Sequence, residues 1–387
     1  MRNHLIRPFW HDYVALLPSR EMGRNESCWC LSGKKWKRCH RVREDEPSIP
    51  TAALLQIFSA NSRNGICLHP SAPNECSDQI IRAHTLQKGG SLRAIADSTG
   101  HVLSGRDRGT AFSSRAQSLT KVGVNKASTF RGFCSKHDNH VFGPADRAKD
   151  TSEEVAFLLS FRALAYEVFM KMVAVPTMEE MKTQIDRGKP FEEQVPLQDH
   201  IHRHLYSFKM GLDEHVRIKE AYDTALTSKN LSRFRYMSMR FDRVLPVVTS
   251  GAFFPEFDYQ GKMLQRLSDD IGSLDCIVFN VCVMNGCTYV VFGWVDVGRT
   301  ANRSFVESIK SIRSEAFADF VIRFAFEISD NIFVSPSWWH ELDSSLKDGL
   351  EKRLISSFAG ERVPSAFCAN LMKYFGAETT AVVLHSV

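Results

Sequence analysis

One ligand-rich stretch contains, in order, Cys67-Leu-His-Pro-Ser-Ala-Pro-Asn-Glu-Cys76, Ile80-Ile-Arg-Ala-His84-Thr-Leu-Gln-Lys88 and Phe133-Cys134-Ser-Lys-His137-Asp138-Asn-His140. The first part is a Pro-containing loop with a thiol at each end, the second an apolar, strand-like run with one imidazole, and the third a Cys-x-x-His pair. Zinc takes four soft or borderline ligands in a tetrahedron, so the stretch predicts a zinc site at Cys67, Cys76, Cys134 and His137. The alternative is that these cysteines are buried free thiols, which pack as small apolar residues.

A second ligand set precedes this stretch, in Gly23-Arg-Asn-Glu-Ser-Cys28-Trp-Cys30-Leu-Ser-Gly33-Lys-Lys-Trp36-Lys-Arg-Cys39-His40. Cys-x-Cys followed by Cys-His supplies four ligands within a very short span, and Gly33 permits the tight return that such a span requires. The sequence therefore predicts a second structural zinc site, with ligands Cys28, Cys30, Cys39 and His40.

This segment resembles the SEC-C motif, a small zinc-binding module known from the C-terminal tail of the translocation ATPase SecA and from many other bacterial proteins. Trp29 stands where proline is common and Leu31 where glycine is common, and neither change removes a ligand. A module this small folds because it binds metal, and it then presents a rigid surface to a partner. Six cations make that surface basic and suited to nucleic acid, ribosomal RNA or an acidic protein: Lys34, Lys35, Lys37, Arg38, Arg41 and Arg43.

The stretch from Cys67 onward, with ligands on a loop, a hairpin-like middle and a final pair opening a helix, is similar to the treble-clef zinc arrangement. The position of His84 resembles that of the histidine in HNH-type (ββα-metal) nucleases. The segments Ala83 to Gln87, Gly100 to Val102 and Gly132 to Phe142 also resemble an uncharacterised bacterial family with no established activity.

In HNH nucleases a strand histidine activates water, an asparagine orients it and a divalent ion stabilises the leaving oxygen. The resemblance implies that His84 is the general base and Asn125 the orienting residue. It also implies that Asp138 and His140 hold a catalytic Mg²⁺ or Mn²⁺. The alternative is a structural zinc fold in which His84 is a hydrogen-bonded core residue.

Charge is divided unevenly along the chain. Residues 1–149 hold 23 Lys and Arg against 12 Asp and Glu, or +11, which leaves −6 for the remainder of the net charge of +5. A basic front half is typical of a protein that approaches polyanions, of which nucleic acid is the commonest, and the alternative is solubilising surface charge. The acidic half, or the SEC-C motif, is then a candidate docking surface for a protein partner.

The 387 residues are enough for two or three domains with a buried core. The first residues lack the apolar core of a signal peptide, and no run is long enough to span a bilayer, so we predict a cytoplasmic protein with no membrane partner. Thiols stay reduced in that compartment, where clustered cysteines more often hold metal than form disulfides.

Hydrophobic spacing predicts an α+β fold, with small N-terminal zinc modules followed by a helical segment and a mostly antiparallel sheet flanked by helices. Asn285-Gly286 between two apolar runs is a strong hairpin signal. The polar segment 106–117 predicts an exposed loop. The predicted divisions are a lead-in helix at 1–22, the SEC-C motif at 23–43, the second zinc domain at 51–145 and an α+β domain at 150–387.

These observations support two functions from different classes. The first is a zinc protein that binds nucleic acid through its basic half and cleaves it at an HNH-like site, in a bacterial antiviral or DNA-processing role. The second is a non-catalytic adaptor whose zinc modules dock onto a protein or the ribosome. A third possibility, an enzyme with its site in the C-terminal half, leaves no phosphate loop, dinucleotide fingerprint or nucleophile elbow in the sequence.

Overall fold

The computed structural model describes residues 13–20, 22–77, 79–105, 119–267, 274–358, 372–375 and 385–386. The loop predicted at 106–117 and residues 1–12 of the predicted lead-in helix lie outside these ranges. Within them, none of the helices has both the length and the apolar character needed to cross a membrane.

Helices and strands alternate in blocks along the chain. The helices are α1 (Thr51–Asn61), α2 (Arg93–Ile95), α3 (Ser135–Asp146), α4 (Glu153–Lys182), α5 (Phe191–Ser228), α6 (Ala301–Ile309), α7 (Phe317–Ile328), α8 (Pro336–Glu341) and α9 (Ser344–Phe358). The strands are β1 (Ala83–His84), β2 (His101–Ser104), β3 (Thr120–Gly123), β4 (Thr129–Phe130), β5 (Phe234–Phe241), β6 (Val247–Phe253), β7 (Ile277–Met284), β8 (Cys287–Val295), β9 (Ile332–Val334) and β10 (His385–Ser386).

The described residues form two compact units. The first contains Gly65–Phe169 and the described residues from Glu214 onward, and the second contains the described residues up to Asn64 together with Met170–Asp213. Both α4 and α5 contribute residues to each unit. Each unit therefore combines segments that are far apart in the sequence.

The first unit is built on an antiparallel sheet with the strand order β10-β5-β8-β7-β6-β9-β2-β3. The Asn285-Gly286 pair joins β7 to β8, and both residues have the positive φ that a two-residue hairpin turn requires, as predicted. Strands β2 and β3 precede residue 145 and pair with each other, and β2 also pairs with the later strand β9, so the sheet crosses the predicted boundary between the zinc domain and the α+β domain. The predicted α+β class is confirmed.

An aromatic cluster packs the metal-binding part of the first unit onto α4. Phe133 contacts Phe142 edge to face at 5.0 Å between ring centroids, and Phe142 stacks on Phe161 at 6.0 Å. Phe130 of β4 contacts Tyr166 at 5.4 Å. All five rings are buried, so burial of these large apolar side chains positions α3 and the β1/β4 pair on α4.

In the second unit, residues 13–19 are not helical, and the prediction of a lead-in helix is wrong for them. The Tyr13 hydroxyl donates to Asp199 Oδ1 at 3.2 Å, and His202 Nε2 donates to the carbonyl oxygen of Val14 at 2.9 Å. Tyr13 also packs against Tyr206. The segment thus uses its polar groups in tertiary contacts with α5, which outweigh the helical spacing of its apolar residues.

Candidate metal centres

The first Cys-His group is organised by a short backbone return. Cys28 N donates to the carbonyl oxygen of Lys34 at 2.8 Å, and Ser27 forms an antiparallel bridge with Lys35. Leu31 and Gly33 have φ of 60° and 72°, the left-handed conformation that lets the chain turn within so few residues. A 3-10 turn at Trp36–Arg38 then brings the second half of the motif back to the first.

This return places the four predicted ligands together. The Sγ atoms of Cys28 and Cys39 each lie 3.2 Å from His40 Nδ1, and the Sγ atoms of Cys30 and Cys39 lie 3.6 Å apart. All four ligand atoms lie within 4.8 Å of one another.

The second group assembles on the first unit's β1/β4 pair and α3. Ile66 N and Leu68 N donate to the carbonyl oxygens of Arg131 and Gly132, which places Cys67 beside the later ligands. Cys134 is the N-cap of α3, and its Sγ accepts from His137 N. The Sγ atoms of Cys67, Cys76 and Cys134 lie 3.4, 3.6 and 3.3 Å from His137 Nδ1.

Both groups fit a tetrahedral zinc ion. With Zn–S near 2.3 Å and Zn–N near 2.0–2.1 Å, neighbouring ligand atoms in a tetrahedron lie about 3.5–3.8 Å apart. The distances in both groups are at or slightly below this range. The cysteines that the structure describes are all free thiols, so disulfides do not compete for these sulfur atoms. Three thiols and one imidazole form a closed donor set of the kind that structural zinc sites use.

The other nitrogen of His40 contacts a carboxylate far away in sequence. His40 Nε2 donates to Asp186 Oδ2 at 2.7 Å, and Arg43 donates to Asp186 Oδ1 at 2.9 Å. Burial would raise the pKa of the Asp186 carboxyl group, but the hydrogen bond from His40 and the charge of Arg43 hold it below its usual range. Arg43 is buried in this ion pair, so its predicted place on the exposed basic surface is wrong.

The second group has a histidine neighbour that we did not predict. The His69 ring stacks on His137 with 3.8 Å between centroids and 8° between planes. Burial is the main reason that the pKa of His69 is lowered to about 4, and the nearby positive charge of Lys219 lowers it further. His69 is therefore neutral at pH 7 and contributes packing rather than charge beside the metal site.

His84, the predicted general base, is half-buried on β1. Its Nε2 lies 3.3 Å from the carbonyl oxygen of Val124, an acceptor only, so Nε2 carries the proton and Nδ1 the lone pair. Burial lowers the pKa of His84, which keeps the ring neutral near pH 7. The nearby charged groups are Lys88, Arg162 and Asp146.

The other predicted catalytic residues lie in different surroundings. Asp138 on α3 is half-buried, and burial raises its pKa, while Arg162 and Asp146 influence it as they do His84. Arg162 itself is buried and forms a bidentate pair with Asp146 at 2.9 and 3.0 Å. Asn125 and His140 are exposed. In the described part of the chain, His84 and Asp138 thus share charged neighbours, but no hydrogen bond or ion pair joins the four predicted residues.

Comparison with known proteins agrees with the first metal centre. The SEC-C motif matches residues 24–41, which include all four ligands of the first group. No curated protein and no solved structure matches the chain. The match covers the motif alone.

Sequence reasoning missed the residues that surround the ligands. Asp186 follows His40 by 146 positions, and Asp146 and Arg162 belong to helices whose packing no local pattern reveals. A buried Asp in a helix-connecting segment carries no sequence signal that separates it from an exposed one. Only the packing of the chain brings these residues to the two sites.

Proposed function

We propose that this protein binds zinc at both Cys₃His groups and binds nucleic acid through the surface of the first one. The observation that carries the proposal is a set of cations at this module without carboxylate partners. Among the cations at or beside the module, Arg20, Arg43 and Arg187 form ion pairs with carboxylates. The other five cations of the predicted basic surface are exposed or half-buried and have no carboxylate partner in the described chain: Lys34, Lys35, Lys37, Arg38 and Arg41.

Unpaired cations on a rigid surface suit a phosphate backbone. Each phosphate that a Lys or Arg neutralises releases condensed counterions, so binding of this kind weakens steeply as salt increases. Metal ligation holds the backbone of the module in one conformation, which reduces the ordering cost of binding. Arg41 also lies over the Trp36 ring at 5.8 Å, so an aromatic face accompanies the charges.

The test measures binding of fluorescent double-stranded DNA, single-stranded DNA and RNA oligonucleotides at several salt concentrations. The variant Lys34→Gln/Lys35→Gln/Arg38→Gln removes three cations from the proposed surface. The control Arg63→Gln/Lys189→Gln/Lys209→Gln removes the same number of positive charges from the same unit. Both of its lysines form ion pairs, Lys189 with Glu193 and Lys209 with Glu179.

For the surface variant we expect at least tenfold weaker binding at 0.1 M salt. The slope of log K against log salt should fall by about two to three, because each phosphate contact contributes about 0.7–0.9. The control should bind nearly as the wild type does. Equal loss of affinity in both variants would show that net charge alone causes the effect. Absence of nucleic-acid binding by the zinc-loaded wild type would favour the alternative function, a non-catalytic adaptor. A pull-down of protein partners, with the same surface variant as the control, tests that alternative.

A second candidate function is hydrolysis of phosphodiester bonds at His84. The observation that favours it is a pair of antiparallel strands followed by a helix beside the second Cys₃His group, with His84 on the first strand, which is the order of elements that the HNH resemblance implies. The neutral ring, with Nε2 donating to a carbonyl, leaves Nδ1 able to accept a proton from water. Asp138 and His140 would hold Mg²⁺ or Mn²⁺, which would stabilise charge on the leaving oxygen.

This candidate is tested with plasmid, linear and single-stranded DNA and with RNA, in Mg²⁺ or Mn²⁺. His84→Ala should reduce the cleavage rate at least 100-fold with zinc content unchanged. His340→Ala, which removes an exposed histidine of the same unit, should cleave at the wild-type rate. Undiminished cleavage by His84→Ala would exclude His84 as the base. A nuclease of this kind would serve in an antiviral or DNA-processing role.

A further inference from the structure

The environment of His40 determines which of its nitrogens can bind metal. Nδ1 faces the sulfur atoms of Cys28 and Cys39, so it must be unprotonated to act as a ligand. The neutral ring then carries its proton on Nε2, and Asp186 Oδ2 accepts that proton's hydrogen bond at 2.7 Å. A carboxylate in this position selects the metal-binding tautomer and makes the imidazole a stronger electron donor.

Asp186 is itself held in place by Arg43. The carboxylate is completely buried, and its second oxygen accepts from the Arg43 guanidinium at 2.9 Å. Arg43 also donates to the carbonyl oxygen of Thr183 and to Glu46 Oε2. A buried carboxylate without such partners would be costly, so these contacts define the position of Asp186.

The backbone of the α4–α5 connection packs on the same module. Gly188 N donates to the carbonyl oxygen of Arg43 at 3.0 Å. Gly188 has φ of 69°, and a Cβ there would lie 2.8 Å from the Glu46 carbonyl oxygen, so the two backbones meet at van der Waals distance. Phe191 N, at the start of α5, donates to Glu44 Oε1 at 2.9 Å.

We infer that Asp186 is a positioning residue of the first metal centre and that metal binding there fixes the connection between α4 and α5. Metal binding orders His40, His40 orders Asp186 through one hydrogen bond, and Asp186 lies in the middle of the connection, residues 183–190. The module thus stabilises the α4–α5 connection of the second unit, in addition to presenting a binding surface. The inference rests on the zinc occupancy proposed above but does not depend on nucleic-acid binding.

The first experiment measures zinc affinity by competition with a chromophoric chelator. Asp186→Asn keeps the shape of the side chain and removes its charge, and Asp213→Asn makes the same change at an exposed site in the same unit. We expect zinc release in two phases, with one phase 10- to 100-fold weaker in Asp186→Asn, as is typical for the loss of a partner of a ligating histidine. Asp213→Asn should release both zinc ions as the wild type does.

Histidine ¹⁵N NMR separates positioning from general destabilisation. In the zinc-loaded wild type, His40 should show a hydrogen-bonded, exchange-protected Nε2 proton. In Asp186→Asn that proton should exchange faster while the far-ultraviolet circular dichroism spectrum stays unchanged. An unchanged Nε2 proton signal, or zinc affinity within twofold of the wild type, would contradict the positioning role.

The second experiment uses the unaltered chain, so it decides the matter even if Asp186→Asn folds poorly. Hydrogen exchange is followed by mass spectrometry with and without chelator. Removal of zinc should increase exchange at residues 183–191, while peptides of strands β7 and β8 serve as the internal reference. Equal exchange of residues 183–191 with and without zinc would overturn the inference. If the protein binds zinc and shows this response but binds no nucleic acid, only the proposal of nucleic-acid binding fails, and this inference stands.

Discussion

His204 lies one helical turn after His200 on α5, and their rings contact at 4.3 Å between centroids. Burial, and then the nearness of His200, lowers the pKa of His204 to about 4. The unfolded chain, with a histidine pKa near 6.5, therefore binds a proton that the folded chain does not bind between pH 6.5 and 4. The stability that neutral His204 contributes is complete above pH 6.5 and is lost as the pH falls through this window.

We predict that His204→Gln reduces this pH dependence. Between pH 7 and pH 5 the variant should gain about 1–2 kcal/mol of unfolding free energy relative to the wild type, since glutamine does not titrate. Guanidinium unfolding of both proteins at each pH measures the difference, and protonation of metal ligands cancels because it affects both. His340→Gln, at an exposed position, should show no such gain. A constant difference between His204→Gln and wild type at all pH values would refute the prediction.

At the scale of single residues, cysteine and histidine spacing predicted two sets of candidate metal ligands, and the structure brings the members of each set within 4.8 Å of one another. Local backbone geometry brings the four residues of the first set together, whereas the second set is brought together by backbone hydrogen bonds between segments more than 60 residues apart. The surroundings of the ligands were not predictable in this way. In the sequence, Arg43 cannot be distinguished from the surface cations around it. It is buried in the structure because Asp186 accepts its hydrogen bond.

A buried polar network joins three elements of the first unit. Asn331, just before β9, donates through Nδ2 to Thr85 Oγ1 at 2.8 Å and to Ser250 Oγ of β6 at 2.8 Å. Thr85 bonds in turn to the Ser128 hydroxyl, which accepts from Leu86 N. Thr85 follows His84 directly, so this network anchors the strand that carries His84 to the main sheet.

We predict that Asn331→Ala destabilises the first unit by about 2–4 kcal/mol, because it leaves buried hydroxyl groups without a donor and opens a small cavity. Urea unfolding followed by tryptophan fluorescence gives the change. The exposed Asn139→Ala on α3 is the matched control and should change stability by less than about 0.5 kcal/mol. Equal stability of the two variants would show that the network contributes little.

At the scale of elements, periodicity predicted the long helices and the hairpin best. Residues 155–175 have apolar residues at helical spacing and form part of α4, where most of them are buried, as that pattern indicates. One of the helical stretches predicted to flank the sheet, residues 304–328, is divided between α6 and α7, with Ser314–Ala316 in a 3-10 turn. Residues 13–19 were misjudged because contacts with α5 outweigh a short amphipathic pattern.

At the scale of the whole molecule, the described residues of each compact unit contain one Cys₃His group. We predict that the zinc-loaded wild type holds two zinc ions per chain and that Cys28→Ser and Cys67→Ser each lose one. Structural zinc sites contribute on the order of 10 kcal/mol to folding, so each loss should loosen the unit that contains the altered site. Elemental analysis and hydrogen exchange measure the two effects.

The control for this prediction is Cys287→Ser, which removes a half-buried thiol outside both groups and should leave the zinc content at two. Cys28→Ser should increase exchange chiefly in residues 22–64 and 170–213, and Cys67→Ser chiefly in residues 65–105 and 119–146. Retention of two zinc ions by either ligand variant would exclude that group as a zinc site.

The sequence by itself determined the SEC-C motif, the α+β class and the principal hairpin, because each depends on spacing within a few residues or on a regular apolar period. The residue types of the second candidate group were also predictable, but only the fold brings Cys67 and Cys76 beside His137. The tertiary structure alone decided that Asp186 supports His40, that Arg43 is buried and that β2 and β3 join strands from the C-terminal half. It also decided that each unit draws on separate parts of the chain. Such contacts form when distant segments bury apolar surface together, and no local pattern records which segments will meet.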